Sequence, residues 1–77
     1  MIQNLERICI AFYQQKGQDA YMVFQQMLPQ ILNHLESKGK NQGIMILKQI
    51  LDEVEKQDWV MVADYINFEL IPILQES

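Results

Sequence analysis

Asp58-Trp59-Val60-Met61-Val62-Ala63-Asp64-Tyr65-Ile66-Asn67-Phe68-Glu69-Leu70-Ile71-Pro72-Ile73-Leu74 decides the class of the fold. At about 100° per residue, Trp59, Val62, Ala63, Ile66, Leu70, Ile73 and Leu74 gather within about 60° of one direction, the signature of a helix with one buried stripe. Asp58 stands where an N-cap belongs. Moving toward the N-terminus, Ile44, Leu47, Ile50, Leu51 and Val54 keep the same three-or-four spacing, as do Ala20, Phe24, Met27, Ile31 and Leu35, and then Ile2, Leu5, Ile8, Cys9 and Phe12. The punctuation between them is sparse. Gly17 reads as the stop of the first helix and Asp19 as the cap of the second. Ser37-Lys38-Gly39-Lys40-Asn41-Gln42-Gly43 is a polar, glycine-bearing loop. The spacing predicts helices over 2–16, 19–37, 43–56 and 58–75, and strand alternation is nowhere sustained. The expected fold is all-α: a four-helix bundle of two αα-hairpins, forming a single domain over 1–77.

Size agrees with one domain. The chain has 77 residues and a mass of 9.1 kDa, for which surface scaling gives about 4,900 Å² folded against about 13,000 Å² extended. With 49% hydrophobic and 21% charged residues, disorder is not expected. No apolar run is long enough to span a membrane, and the first residues, Met1-Ile2-Gln3-Asn4-Leu5-Glu6-Arg7, lack the basic region of a signal peptide. A single cysteine, Cys9, forms no internal disulfide and suits a reducing, cytoplasmic setting. The net charge of −4 with scattered lysines disfavours nucleic acid and anionic membranes as partners.

The two halves look alike. Gln18-Asp19-Ala20-Tyr21-Met22-Val23 aligns with Gln57-Asp58-Trp59-Val60-Met61-Val62 at an offset of 39, which also carries Leu5, Ile8 and Phe12 onto Ile44, Leu47 and Leu51. Leu28-Pro29-Gln30-Ile31-Leu32 echoes Ile71-Pro72-Ile73-Leu74 at an offset of 43. The four extra residues equal about one helical turn, so a longer fourth helix would keep its face. Both prolines fall inside predicted helices, where each removes an N–H and crowds the carbonyl four residues back. Pro29 is expected to bend the second helix, and Pro72 lies near an end, where the loss is tolerable.

Catalytic chemistry finds little support. One histidine, His34, and one cysteine fall short of a zinc set and of a nucleophile–base pair, and no glycine-rich phosphate loop follows a strand. Cys9 lies on an apolar stripe as a small hydrophobe, and His34 sits at the edge of a buried face. Asp52, Glu53 and Glu55 cluster near Asp58, with Lys48 and Lys56 each four residues from Asp52. A solvated charged turn is the plainer account of them, a cation or basic partner the sharper one. A carboxylate substrate would want convergent arginines, and Arg7 stands alone. The expectation is no enzyme, no cofactor and no metal.

What stands out is the far side of the fourth helix. Met61, Tyr65, Phe68 and Pro72 keep helical spacing there, with Val60 and Ile71 on the flank, where a helix packed on one side should be polar. Smaller surpluses occur in the third helix, Met45 and Ile46, and in the second, Tyr21, Met22 and Leu32. Residues 1–56 carry six cations and six anions, whereas 57–77 carry Asp58, Asp64, Glu69 and Glu76 and no cation, so the whole net charge belongs to the last helix. Such a face suits a basic-flanked helix or a second copy of itself. Self-pairing must tolerate like charge unless Asp64 and Glu69 of one copy reach lysines of the other. Burial of this helix from both sides is the simpler account.

Asp58, Val60, Ala63, Asp64, Phe68, Glu69, Leu70, Pro72 and Leu74 also match a pattern, D-x-V-x-x-A-D, three residues, then an aromatic-E-L-x-P-x-L. It resembles the C-terminal helix of small uncharacterised helical proteins of bacteria. The likeness covers about 17 residues and implies an intracellular helical protein without naming an activity.

The expected function is a non-enzymatic protein–protein interaction module, a homodimer or other homo-oligomer joined through Met61, Asp64, Tyr65, Phe68, Glu69 and Pro72. Two alternatives accompany it. One is a small acidic cytoplasmic chaperone or adaptor for a client's amphipathic helix, in the manner of secretion or flagellar export chaperones. The other is a ligand- or metal-binding bundle with its site near Asp52, Glu53, Glu55 or His34.

Overall fold

Three turns of one design fix the order of the helices. The computed structural model describes residues 1–76, with α1 at Ile2–Tyr13, α2 at Gly17–Ser37 and α3 at Asn41–Glu55. The fourth run is composite: α4 at Trp59–Tyr65, a π-helical turn at Ile66–Leu70, and α5 at Ile71–Gln75. Gln15, Gly39 and Gln57 all have positive φ, at 65°, 66° and 57°. Around each, the following N–H reaches back to a carbonyl five residues earlier: Lys16 to Ala11 (3.0 Å), Lys40 to Leu35 (2.8 Å) and Asp58 to Glu53 (3.0 Å). These are Schellman closures, which satisfy the last carbonyls of a helix and turn the chain sharply. Each leaves only three residues between helices, so successive helices lie beside one another. The result is an all-α four-helix bundle, with no strand among the described residues.

The turns correct several boundaries. The first helix ends at Tyr13 rather than residue 16, because Gln15 takes the left-handed position expected of Gly17. The second begins at Gly17 with Lys16 at its N-cap, so Asp19 lies in the first turn and caps nothing. The polar loop shrinks to Lys38–Gly39–Lys40, and α3 starts at Asn41 rather than 43 and ends at Glu55 rather than 56. Asp58 is a cap as expected, accepting a hydrogen bond from the Met61 N–H at 3.2 Å.

Gly17 has a different task from stopping a helix. A Cβ built on it would fall 2.2 Å from Cδ2 of Trp59, so the backbone of α2 touches the indole directly. Trp59 in turn stacks on Phe12 with centroids 5.7 Å apart. Below this contact lies one core from all four runs. Leu5, Phe12, Phe24, Ile31, Leu35, Ile50, Val62, Ile66 and Leu70 are fully buried, and each contributes about 1.5–3 kcal/mol by leaving water. The folded surface, 4908 Å², is what scaling with mass leads one to expect for a single domain. At the other end Lys40 donates from Nζ to the carbonyl oxygens of Ile73 and Glu76, closing the C-terminal end of the fourth run with a cation.

The prolines are handled in two ways. α2 runs through Pro29 as one helix; Pro29 and Gln25, whose carbonyl loses its partner, are both exposed, so that carbonyl stands on the wet side. Ahead of Pro72 the chain instead widens into the π-turn, where the Ile71 N–H donates to Ile66 O, five residues back. This turn also corrects the internal register. At an offset of 39, buried Phe12 would match exposed Leu51. The structural match runs at 42: α2 and α4 begin at Gly17 and Trp59, and buried Ile8, Ala20 and Phe24 correspond to buried Ile50, Val62 and Ile66. Beyond the π-turn it becomes 43, pairing Met27, Pro29 and Ile31 with Leu70, Pro72 and Leu74. Three of the four extra residues therefore lengthen α3 relative to α1, and only the fourth enters the last run, as the π-turn itself.

Candidate protein-binding face

The fourth run lies between α1 and α3, diagonally across from α2. Its inner stripe is buried as expected, with Trp59 and Ile73 half-buried at the edges. On the outside, Met61 and Phe68 are 37% and 67% exposed, Val60 is exposed beside them, and Pro72 and Glu69 face water. Phe68 is the most exposed of the large apolar side chains, and it stands in the π-turn. Wide turns of this kind recur at functional positions, because the local register change re-aims one or two side chains. Here it aims an aromatic ring at solvent.

Two outward assignments change. Tyr65 is half-buried and packs against the core, so it borders the face rather than standing in it. Ile71, expected on the flank, is buried at 5%, because the π-turn shifts it inward by one register position. Among the smaller surpluses, Ile46 is buried and Tyr21 half-buried, while Met22, Leu32 and Met45 are exposed.

Asp64 is engaged: it accepts a hydrogen bond from the Tyr13 hydroxyl, which ties α1 to α4. That bond, foremost, holds the Tyr13 phenol up to about 12. Tyr13 is itself 39% exposed and Ile10, one turn back, 56%. The apolar face thus continues from the fourth run onto α1. Their spacing of three was the available signal, but it falls outside α1's main stripe. Glu69 makes no ion pair; the one ion pair among the described residues is Lys56 with Glu53, at 3.4 Å.

Cys9 has none of the setting of an activated thiolate. Cys9 is buried, its thiol donates weakly to the Ala63 carbonyl at 3.7 Å, and burial, followed by the charges of Glu6 and Asp64, pushes its pKa up to about 11. Among the described residues no three histidine, cysteine or carboxylate side chains come together as an ion site. His34 is half-buried with Nε2 unpartnered.

A second apolar surface lies between α2 and α3. Leu28, Pro29, Leu32, Ile44, Leu47 and Leu51, with Gln25 and Lys48, line an open groove of about 660 Å³. Of the stripe residues expected in the core, Leu47 is buried as expected, Ile44 is half-buried and Leu51 is exposed, and of the α2 lining only Leu32 stood out in the sequence as surplus. The groove exists because neither helix closes over the other along this side. No helix among the described residues is long and apolar enough to cross a membrane. No known family, curated protein or solved structure matches the chain.

Proposed function

We propose that the chain is a non-enzymatic protein-interaction module that associates with a second copy of itself through the outer face of the last helical run. Phe68 is the anchor, Met61 and Pro72 extend the apolar contact, Tyr65 borders it, and Asp64 and Glu69 form its polar rim. The single observation that carries this reading is the 67% exposure of Phe68 within a π-turn. Burying a phenylalanine against a partner removes about 150–250 Å² from water, and aromatic anchors of this kind dominate small interfaces. A reducing cytoplasm is the compartment that suits its one unpaired cysteine.

Phe68→Asp tests the reading. Since the side chain touches water rather than core, the variant keeps the helical circular dichroism and the unfolding midpoint of the parent while losing association in sedimentation velocity. Undiminished association of a folded variant contradicts it.

A further inference from the structure

We propose that the surface receiving this face is the α2–α3 groove of a second copy, so that copies join head to tail rather than face to face. The inference rests on the function proposed above and specifies the partner surface. Charge favours it. The last run carries Asp64 and Glu69, its caps Asp58 and Glu76 add two more acids, and none of these residues is joined by a cation of the run itself; two such faces brought together would oppose Asp64 and Glu69 to themselves. The groove offers the complement: its floor is Leu28, Pro29, Leu32, Leu47 and Leu51, and its one charged lining residue is Lys48, which makes no ion pair among the described residues. The hollow between α1 and α2 is smaller, about 480 Å³, and although Arg7 and Lys16 line it, Asp19, Asn4 and Gln26 beside them leave it less apolar ground for an aromatic side chain. At about 660 Å³ the α2–α3 groove has room for Phe68 together with its neighbours, and Lys48 at its edge meets Glu69.

Position settles how such a contact repeats. α2 sits diagonally across the bundle from the fourth run, so the projecting face and the groove point different ways. A pair joined by one contact therefore leaves a free face at one end and a free groove at the other, and growth continues unless a ring closes.

Two variants separate the possibilities. Leu32→Glu blocks the groove at a residue already 39% exposed, and Phe68→Asp blocks the projecting face. Each alone is a folded monomer by circular dichroism and sedimentation, and an equimolar mixture forms a one-to-one pair that grows no further, because each supplies the half the other lacks. Lys48→Glu, a gentler change, weakens self-association of the otherwise unmodified chain about tenfold, and added sodium chloride weakens the unmodified chain's association as well. If Leu32→Glu and Lys48→Glu associate like the parent, or salt strengthens association, the contact is face to face; the groove assignment falls and the self-associating face stands. A mixture of the two blocked variants that stays monomeric also overturns the groove assignment. If the parent is monomeric throughout, or Phe68→Asp alone still associates, the proposed function itself falls.

Discussion

At the scale of single residues, the side chain that is absent matters as much as those present. Gly17 lets the α2 backbone lie on Trp59, and a methyl placed 2.2 Å from the indole has nowhere to go. Gly17→Ala is expected to destabilise the fold by about 1–3 kcal/mol, the usual range for overpacking, although alanine is the better helix former. A urea titration followed by circular dichroism reads this directly, and an unchanged midpoint contradicts the contact. Two further residues give stability a dependence on alkaline pH. The thiol of Cys9 is held up to about 11 from an ordinary 9.0, mainly by burial, and the phenol of Tyr13 up to about 12 from 10.0, mainly by its bond to Asp64. Both groups are more easily ionised in the unfolded chain. Their contribution is therefore complete below pH 9 and is lost as pH rises from 9 through 12. Thermal unfolding midpoints should fall across that window, and Tyr13→Phe should remove the part of the fall nearest pH 12. The buried thiol should meanwhile react with alkylating reagents only at the rate of unfolding.

At the scale of elements, the π-turn behaves as a single inserted residue. The burial pattern matches α2 at an offset of 42 before it and 43 after it, so removing one residue should let the run close as an ordinary α-helix with its core stripe unrotated. Deletion of Phe68 is expected to preserve cooperative unfolding and helicity while abolishing association. Deletion of Gln26 from the regular part of α2 turns Met27, Ile31 and Leu35 about 100° out of the core and should prevent folding. Differential scanning calorimetry of both distinguishes them, and loss of folding in the Phe68 deletion contradicts the insertion account. The same elements show what was legible beforehand. Four apolar stripes, the cap at Asp58 and the outward spacing of Met61, Phe68 and Pro72 follow from local periodicity, which one sequence carries in full. The left-handed turns at Gln15 and Gln57 were hidden, because glutamine gives no sign that tertiary packing will hold it at positive φ. Lys40 on the end of the fourth run, Tyr13 on Asp64 and the α2–α3 groove were hidden for a related reason. Each joins residues at least 12 apart in sequence, through packing that no local pattern encodes. The π-turn announced itself only as the difference between two repeat offsets.

At the scale of the whole molecule, a short chain has closed one core and left apolar surface uncovered, above all the Phe68 face, whose own residues include Asp64 and Glu69, and a groove carrying Lys48. Anchored on one aromatic side chain, association through the Phe68 face belongs in the micromolar range or weaker. Sedimentation equilibrium of the unmodified protein from about 10 µM to about 1 mM tests the central claim most directly. The account predicts an apparent mass that starts at 9.1 kDa and climbs steadily with concentration, whereas a mass fixed at that of one chain over the whole range would contradict it.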